Sequence, residues 1–160
     1  MTRQLIGIRP DHEFESAIDR MRPLGEGTQR RVYAVEGKDD VVIKESKGPF
    51  HHSNFVEWTI WHALIKMGEE ISGNEANPEL IDMFAPCISI SHSAKFLMMK
   101  RFDGPIGATE IPAKGIPFWF NDKKPNAFGK TKDGVIKIID YGAVDFYDAL
   151  NPKNRNLLQQ

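Results

Sequence analysis

Five short stretches carry residue types that could handle a phosphate. Gly25-Glu26-Gly27 lies between strand-like segments. Residues without a β-carbon let backbone N–H groups come close to phosphate oxygens, although an ordinary β-turn uses the same residues. Lys44 closes the apolar run Val41-Val42-Ile43, 19 residues after Gly25; it is either a solvated edge charge or a cation aimed at an anion. Glu57 shares a helix face with Trp61 and Leu64. A carboxylate on an apolar face needs a partner, because burying it alone is costly, and Lys44 is the obvious one. Asn121-Asp122-Lys123-Lys124-Pro125-Asn126-Ala127-Phe128-Gly129 places one acid, two lysines and two asparagines in one segment. Asp140 directly follows Ile138-Ile139 and precedes Tyr141-Gly142; a carboxylate held at a strand end suits Mg2+, although Asp-Tyr-Gly is also an ordinary turn.

The elements that must position these residues can be read from periodicity. Phe14, Ala17, Ile18 and Met21 fall at helical spacing, which predicts an amphipathic helix over Asp11 to Met21, ended by Pro23. Val32 to Val35 reads as a strand, Gly37 to Asp40 as a turn and Val41 to Lys44 as the antiparallel partner. Ser53 is the predicted N-cap of the helix that carries Glu57, Trp61, Leu64 and Ile65. Gly73 to Pro78 reads as a polar loop, and Cys87 to Ile90 and Phe96 to Met99 as two short strands. Glycines and prolines spread from Gly104 to Pro117 argue against a long helix there. A last hairpin is predicted from Ala127-Phe128 through Lys132-Asp133-Gly134 to Val135–Ile139, and the tail from Ala143 has room for one short helix.

Composition narrows the function classes. The chain has 160 residues, 41% of them apolar, which suits one domain that folds without a metal or disulfide staple. Its single cysteine, Cys87, rules out an intrachain disulfide and a cysteine zinc cluster within this sequence, as a reducing compartment permits. Twenty-one Lys and Arg against 22 Asp and Glu provide no broad cationic face, so nucleic acid is not the expected partner. No stretch approaches the roughly 20 apolar residues of a membrane span, and the amino-terminal residues have no continuous apolar region. The expectation is a cytoplasmic protein with no membrane contact.

The order of the five stretches resembles the protein kinase superfamily. Leu24-Gly25-Glu26-Gly27 is similar to the glycine-rich loop, Val41-Val42-Ile43-Lys44 to the strand bearing the phosphate-contacting lysine, and Glu57 to the helix acid that pairs with it. Leu97 to Phe102 is similar to the strand entering the adenine-binding hinge, with Met99 at the gatekeeper position and Arg101 in the hinge. Asp122-Lys123-Lys124-Pro125 resembles the catalytic loop and Asp140-Tyr141-Gly142 the metal-binding triplet 18 residues later. The resemblance covers Leu24 to Gly142. It implies an α+β, protein-kinase-like fold with a five-stranded antiparallel N-lobe sheet, one main helix and a truncated C-lobe. Residues 1–160 form one such domain, with 24–102 as N-lobe and 103–160 as remnant C-lobe.

The resemblance also implies roles. Gly25 and Gly27 bracket the phosphates of ATP, Lys44 holds the α- and β-phosphates while paired with Glu57, and Met99 and Arg101 lie on the adenine side. Asp122 accepts the proton of an attacking hydroxyl, Lys124 steadies the transferred phosphoryl and Asp140 holds Mg2+. Trp61, Phe120 and Tyr141 form an aligning aromatic stack. Several positions depart from the pattern. Arg30 stands where the third loop glycine would be, as a bulky cation beside the phosphates, and Phe120-Asn121 replaces the usual His-Arg. The metal-binding asparagine position, five residues after Asp122, is Ala127, with Asn126 one residue earlier as the substitute ligand. Two readings stay open: phosphotransfer to a Ser/Thr hydroxyl or to the chain itself, and a pseudokinase-like module that acts through a protein partner. A small-molecule kinase ranks behind both. Apolar surface left by a truncated C-lobe implies self-association or a protein partner.

Overall fold

The computed structural model describes residues 5–70, 78–154 and 156–160. The chain is α+β and divides into two compact units, Met1–Trp58 with Pro86–Arg101 and Thr59–Ala85 with Phe102–Gln160.

The first unit is built on a mixed six-stranded sheet. Its strands are β1 (Gly7–Arg9), β2 (Ile18–Glu26), β3 (Arg30–Val35), β4 (Lys38–Ser46), β5 (Cys87–Ser91) and β6 (Phe96–Lys100), in the order β1-β5-β6-β4-β3-β2. Five antiparallel strands were expected, and the additional one is β1, which runs parallel to β5. Three residues are too few for a period-2 signal, and Gly7 (φ +72°) and Pro10 bracket it as a turn would. A hydrogen bond from Ser89 Oγ to the Gly7 carbonyl, 2.7 Å long, holds β1 at the edge.

The first helix also departs from expectation. Helix α1 spans Asp11–Ala17, and Ile18 is already extended, paired with Val35. Ile18 is β-branched, and its side chain enters the core from either geometry; strand pairing decides the outcome, because Glu36 N–H closes onto the Ala17 carbonyl at 3.0 Å. Met21, expected on the buried helix face, is 89% exposed. Pro23 sits in β2 where the pairing register shifts, which an edge strand tolerates.

Alternation gives the sheet two different faces. Tyr33, Val35, Val41, Ile43, Phe96 and Met98 join Phe14 of α1 in one apolar cluster, with Phe14 and Phe96 stacked at 5.9 Å. The cross-strand pairs Arg30–Ser46, Val32–Lys44 and Ala34–Val42 lie on the opposite face. Helix α2 (His52–Glu70) supplies the groups that meet Lys44 there. Strands β3 and β4 are joined by the two-residue loop Glu36-Gly37, with Gly37 at φ +75° as a tight hairpin requires. Strand β4 thus begins at Lys38, where a turn to Asp40 was expected.

Arg20 of β2 grips Glu45 of β4 with two hydrogen bonds of 2.8 and 2.9 Å and lies 5.0 Å over the Tyr33 ring. These bonds hold the Glu45 carboxyl below its ordinary value. A lowered carboxylate stabilises the fold above its unfolded pKa, about 4.3, and the contribution disappears as pH falls through the folded value. Glu45→Gln is therefore expected to cost about 1 kcal/mol at pH 7, at the upper end for a partly exposed pair, and nothing at the acid end of the transition. Urea unfolding of both proteins at pH 7 and near pH 3 checks the convergence.

The second unit contains α3 (Pro78–Asp82), β7 (Phe128–Lys130), β8 (Ile136–Ile138) and α4 (Phe146–Leu150). The polar loop expected from Gly73 lies outside the described residues except for Pro78, which opens α3. The segment from Gly104 to Pro117 holds only a 3-10 turn at Ala108–Glu110, as its glycines and prolines predict. Gly104 is required by packing, since a β-carbon there would lie 2.5 Å from the Phe128 carbonyl oxygen. The predicted last hairpin is β7-β8, antiparallel, with Gly134 at φ +84° in its turn. The tail carries α4, capped by the Asp145 side chain accepting from Asp148 N–H at 3.0 Å. No helix among the described residues is long and apolar enough to cross a membrane.

Candidate functional site

Lys44 and Glu57, expected to pair, do so. Lys44 Nζ lies 3.0 Å from Glu57 Oε1 and 3.1 Å from Oε2, with Glu57 0% and Lys44 5% exposed. Strand alternation turns Lys44 to the face that carries Val32, and α2 brings Glu57 to it.

Arg30 joins this pair. Its guanidinium is turned into the protein, 7% exposed, where Nη1 donates to Glu57 Oε1 and, at 3.1 Å, to Asn54 Oδ1. One carboxylate therefore receives two cations. The signal was available: Arg30, Val32 and Ala34 share one side of β3, and Val32 lies directly across from Lys44. Asn54, which the sequence reading passed over, anchors the arrangement. Its amide donates to the Ala94 and Lys95 carbonyls at 2.9 Å each and reaches the Lys44 carbonyl and Ser46 Oγ at 3.3 Å.

The glycine-loop expectation has a clear local geometry. Gly25 lies in β2 opposite Val32, and Gly27 N–H donates to the Arg30 carbonyl at 2.9 Å, closing the β2–β3 turn. A β-carbon at either glycine would meet nothing within 4 Å, so neither is required by the packing of this chain. Met99 is buried in β6, paired with Val42 and Cys87. Arg101 is half-buried, and its N–H donates to the Asp40 carbonyl at 2.8 Å.

In the second unit, two consecutive three-residue turns, Lys123 N–H to the Asn121 carbonyl (2.9 Å) and Lys124 N–H to the Asp122 carbonyl (3.0 Å), shape the segment. They put Lys124 Nζ 3.2 Å from Asp122 Oδ2. The contact is an ion pair whose angles fall short of a hydrogen bond, since Oδ2 is buried without a hydrogen-bond partner. Pro125–Ala127 then forms a 3-10 turn, pre-set by proline at its first position. The Ala127 carbonyl accepts both Ile139 N–H at 2.9 Å and Asp140 N–H at 3.2 Å. Asp140 is thereby tied by its backbone to the turn that follows Asp122.

Asn126 is exposed on that turn, while Ala127, at the position the resemblance gives to a metal-binding asparagine, is fully buried. Among the described residues no three His, Cys, Asp or Glu side chains group to hold a metal by themselves. Mg2+ does not need such a cage; it takes one or two carboxylates with waters and substrate phosphates. Half-buried Asp140 offers one carboxylate of that kind, and exposed Asn126 an amide oxygen.

The aromatic packing is also redistributed. Tyr141 meets Phe84 edge-on at 5.0 Å and donates its hydroxyl to the Ala85 carbonyl at 2.8 Å, while Trp119 stacks on Phe84 at 5.5 Å and Phe120 meets Phe128 at 5.7 Å. The centre of this cluster is Phe84, which the sequence reading did not single out, and Trp61 is only half-buried.

No protein-family model and no curated protein matches this chain.

Proposed function

We propose that this chain is a protein-kinase-like nucleotide-binding protein that holds ATP with Mg2+ and transfers phosphate to a Ser/Thr hydroxyl. The observation that carries the reading is the buried Lys44–Glu57 pair, with both carboxylate oxygens within 3.1 Å of the ammonium. Replacing a buried ion pair with apolar residues is often neutral or stabilising, so the pair is poorly explained by stability alone. In this reading Lys44 takes the α- and β-phosphates, Glu57 orients it, and the open space above Gly25 and Gly27 lets the backbone approach a ligand. Met99 and Arg101 serve the adenine side. Asp122 accepts the hydroxyl proton, Lys124 steadies the transferred group, and Asp140 with Asn126 holds the metal. When bound, Mg2+ neutralises charge on the phosphates and fixes their geometry.

One observation favours a second reading. Ala127 is buried and has no ligand atom where the resemblance puts an asparagine, which suits a module that binds nucleotide without transfer and acts through a protein partner or a second copy. Thermal unfolding with and without ATP and Mg2+ tests the binding common to both. A ligand held only by the native state at 100 times its Kd adds about 2.7 kcal/mol, so the midpoint is expected to rise by several degrees. An unchanged midpoint at millimolar ATP contradicts nucleotide binding.

A further inference from the structure

We propose that Arg30 is the positioning residue of this site, fixing the start of α2 on the sheet so that Glu57 and Lys44 are aligned for ATP. The inference rests on the nucleotide-binding reading above and deepens it. Its observations are geometric. Arg30 leaves β3 and bonds two residues of α2, Asn54 and Glu57, which lie three apart and so share a helix face. Lys44 holds Glu57 from β4, and Asn54 holds the β5–β6 turn through the Ala94 and Lys95 carbonyls. Ala94 is in the left-handed region at φ +64°, a conformation rare outside glycine that its surroundings must hold. The start of α2 is therefore fastened to β3, β4 and the β5–β6 turn by buried groups.

Lys44 alone could not do this. Its ammonium is the group the nucleotide phosphates claim, and Glu57 is a carboxylate with no exposure to water. Arg30 stays charged at every accessible pH and presents a rigid planar fork, so it keeps Glu57 compensated while Lys44 turns part of its charge to a phosphate.

The test uses the full chain and its Arg30→Met and Arg30→Lys variants. Fluorescent ATP analogue with Mg2+ is titrated below each midpoint, and amide exchange is followed across residues 52–58. Arg30→Met is expected to weaken ATP binding about tenfold, the scale of a coupling carried through a packed network, and to speed exchange at the start of α2. Arg30→Lys, which keeps the charge without the fork, is expected to recover part of both. A purely structural arginine would lower the midpoint and leave the affinity of the folded protein unchanged, and that result overturns the proposal. Weakened binding with unaltered exchange overturns it too, since Arg30 would then act on the nucleotide directly. If the wild-type chain binds no ATP, the functional reading fails by itself. Exchange in Arg30→Met then decides the clamp: faster exchange upholds it and unchanged exchange ends it.

Discussion

Glu57→Ala is expected to lower the unfolding free energy by about 3–5 kcal/mol, because removing one member of a buried ion pair leaves the cations bonded to it without that carboxylate. Here the members left behind are Lys44 and Arg30, at 5% and 7% exposure. Domains of this size are stable by roughly 5–15 kcal/mol, so the variant loses a large part of its margin. Glu57→Gln, which keeps the shape and one acceptor oxygen, should lose less. The informative comparison is the triple variant Arg30→Met, Lys44→Met, Glu57→Leu. With the carboxylate and both cations bonded to it removed together, stability should return to within about 2 kcal/mol of wild type. The same variant should show no ATP-induced rise in midpoint. Urea unfolding of the three proteins separates these outcomes, and a loss below about 1 kcal/mol for Glu57→Ala would mean that the carboxylate is not the hub the geometry makes it.

Phosphate transfer is the second large effect. Radiolabel from the γ-phosphate of ATP, with Mg2+ or Mn2+, is expected to appear on the chain or on an added hydroxyl-bearing protein. Asp122→Ala should reduce the rate by about 10²–10⁴, the range for loss of a general base, while leaving ATP binding in place. Asp140→Ala should abolish transfer through loss of the metal ligand. Label that persists in both variants contradicts the assigned roles. ATP binding with no label in the wild type would favour the second reading, the binding module, for which buried Ala127 is the structural motive.

The Lys44–Glu57 contact was legible in the sequence, whereas part of the sheet was not. Lys44 was legible because it closes an apolar run, and Glu57 because it shares a helix face with Trp61 and Leu64, where the cost of an unpaired buried carboxylate required a partner. The β7-β8 hairpin was legible because Gly134 marks its turn. Strand β1 was not, being three residues held by the Ser89 hydroxyl, a contact made across the sheet. The end of α1 was misplaced because Ile18 suits a helix face and a strand equally, and pairing with Val35, distant in sequence, decided between them. The contact of Arg30 with Glu57 was missed for a different reason. A motif comparison assigns a residue to a loop, whereas its parity with Val32 assigns it to a face, and the face governs what the side chain touches. Asn54 carried no motif at all; the four acceptors its amide reaches and the bond its Oδ1 accepts from Arg30 give it a role.

In the proposed site Lys44, held by Glu57, binds the phosphates of ATP. Titration calorimetry of ATP with Mg2+ into the wild-type chain and into Lys44→Ala is expected to show saturable binding of one ATP per chain in the wild type and its loss in the variant. Equal binding by the two proteins, or none by the wild type, would remove Lys44 from that role.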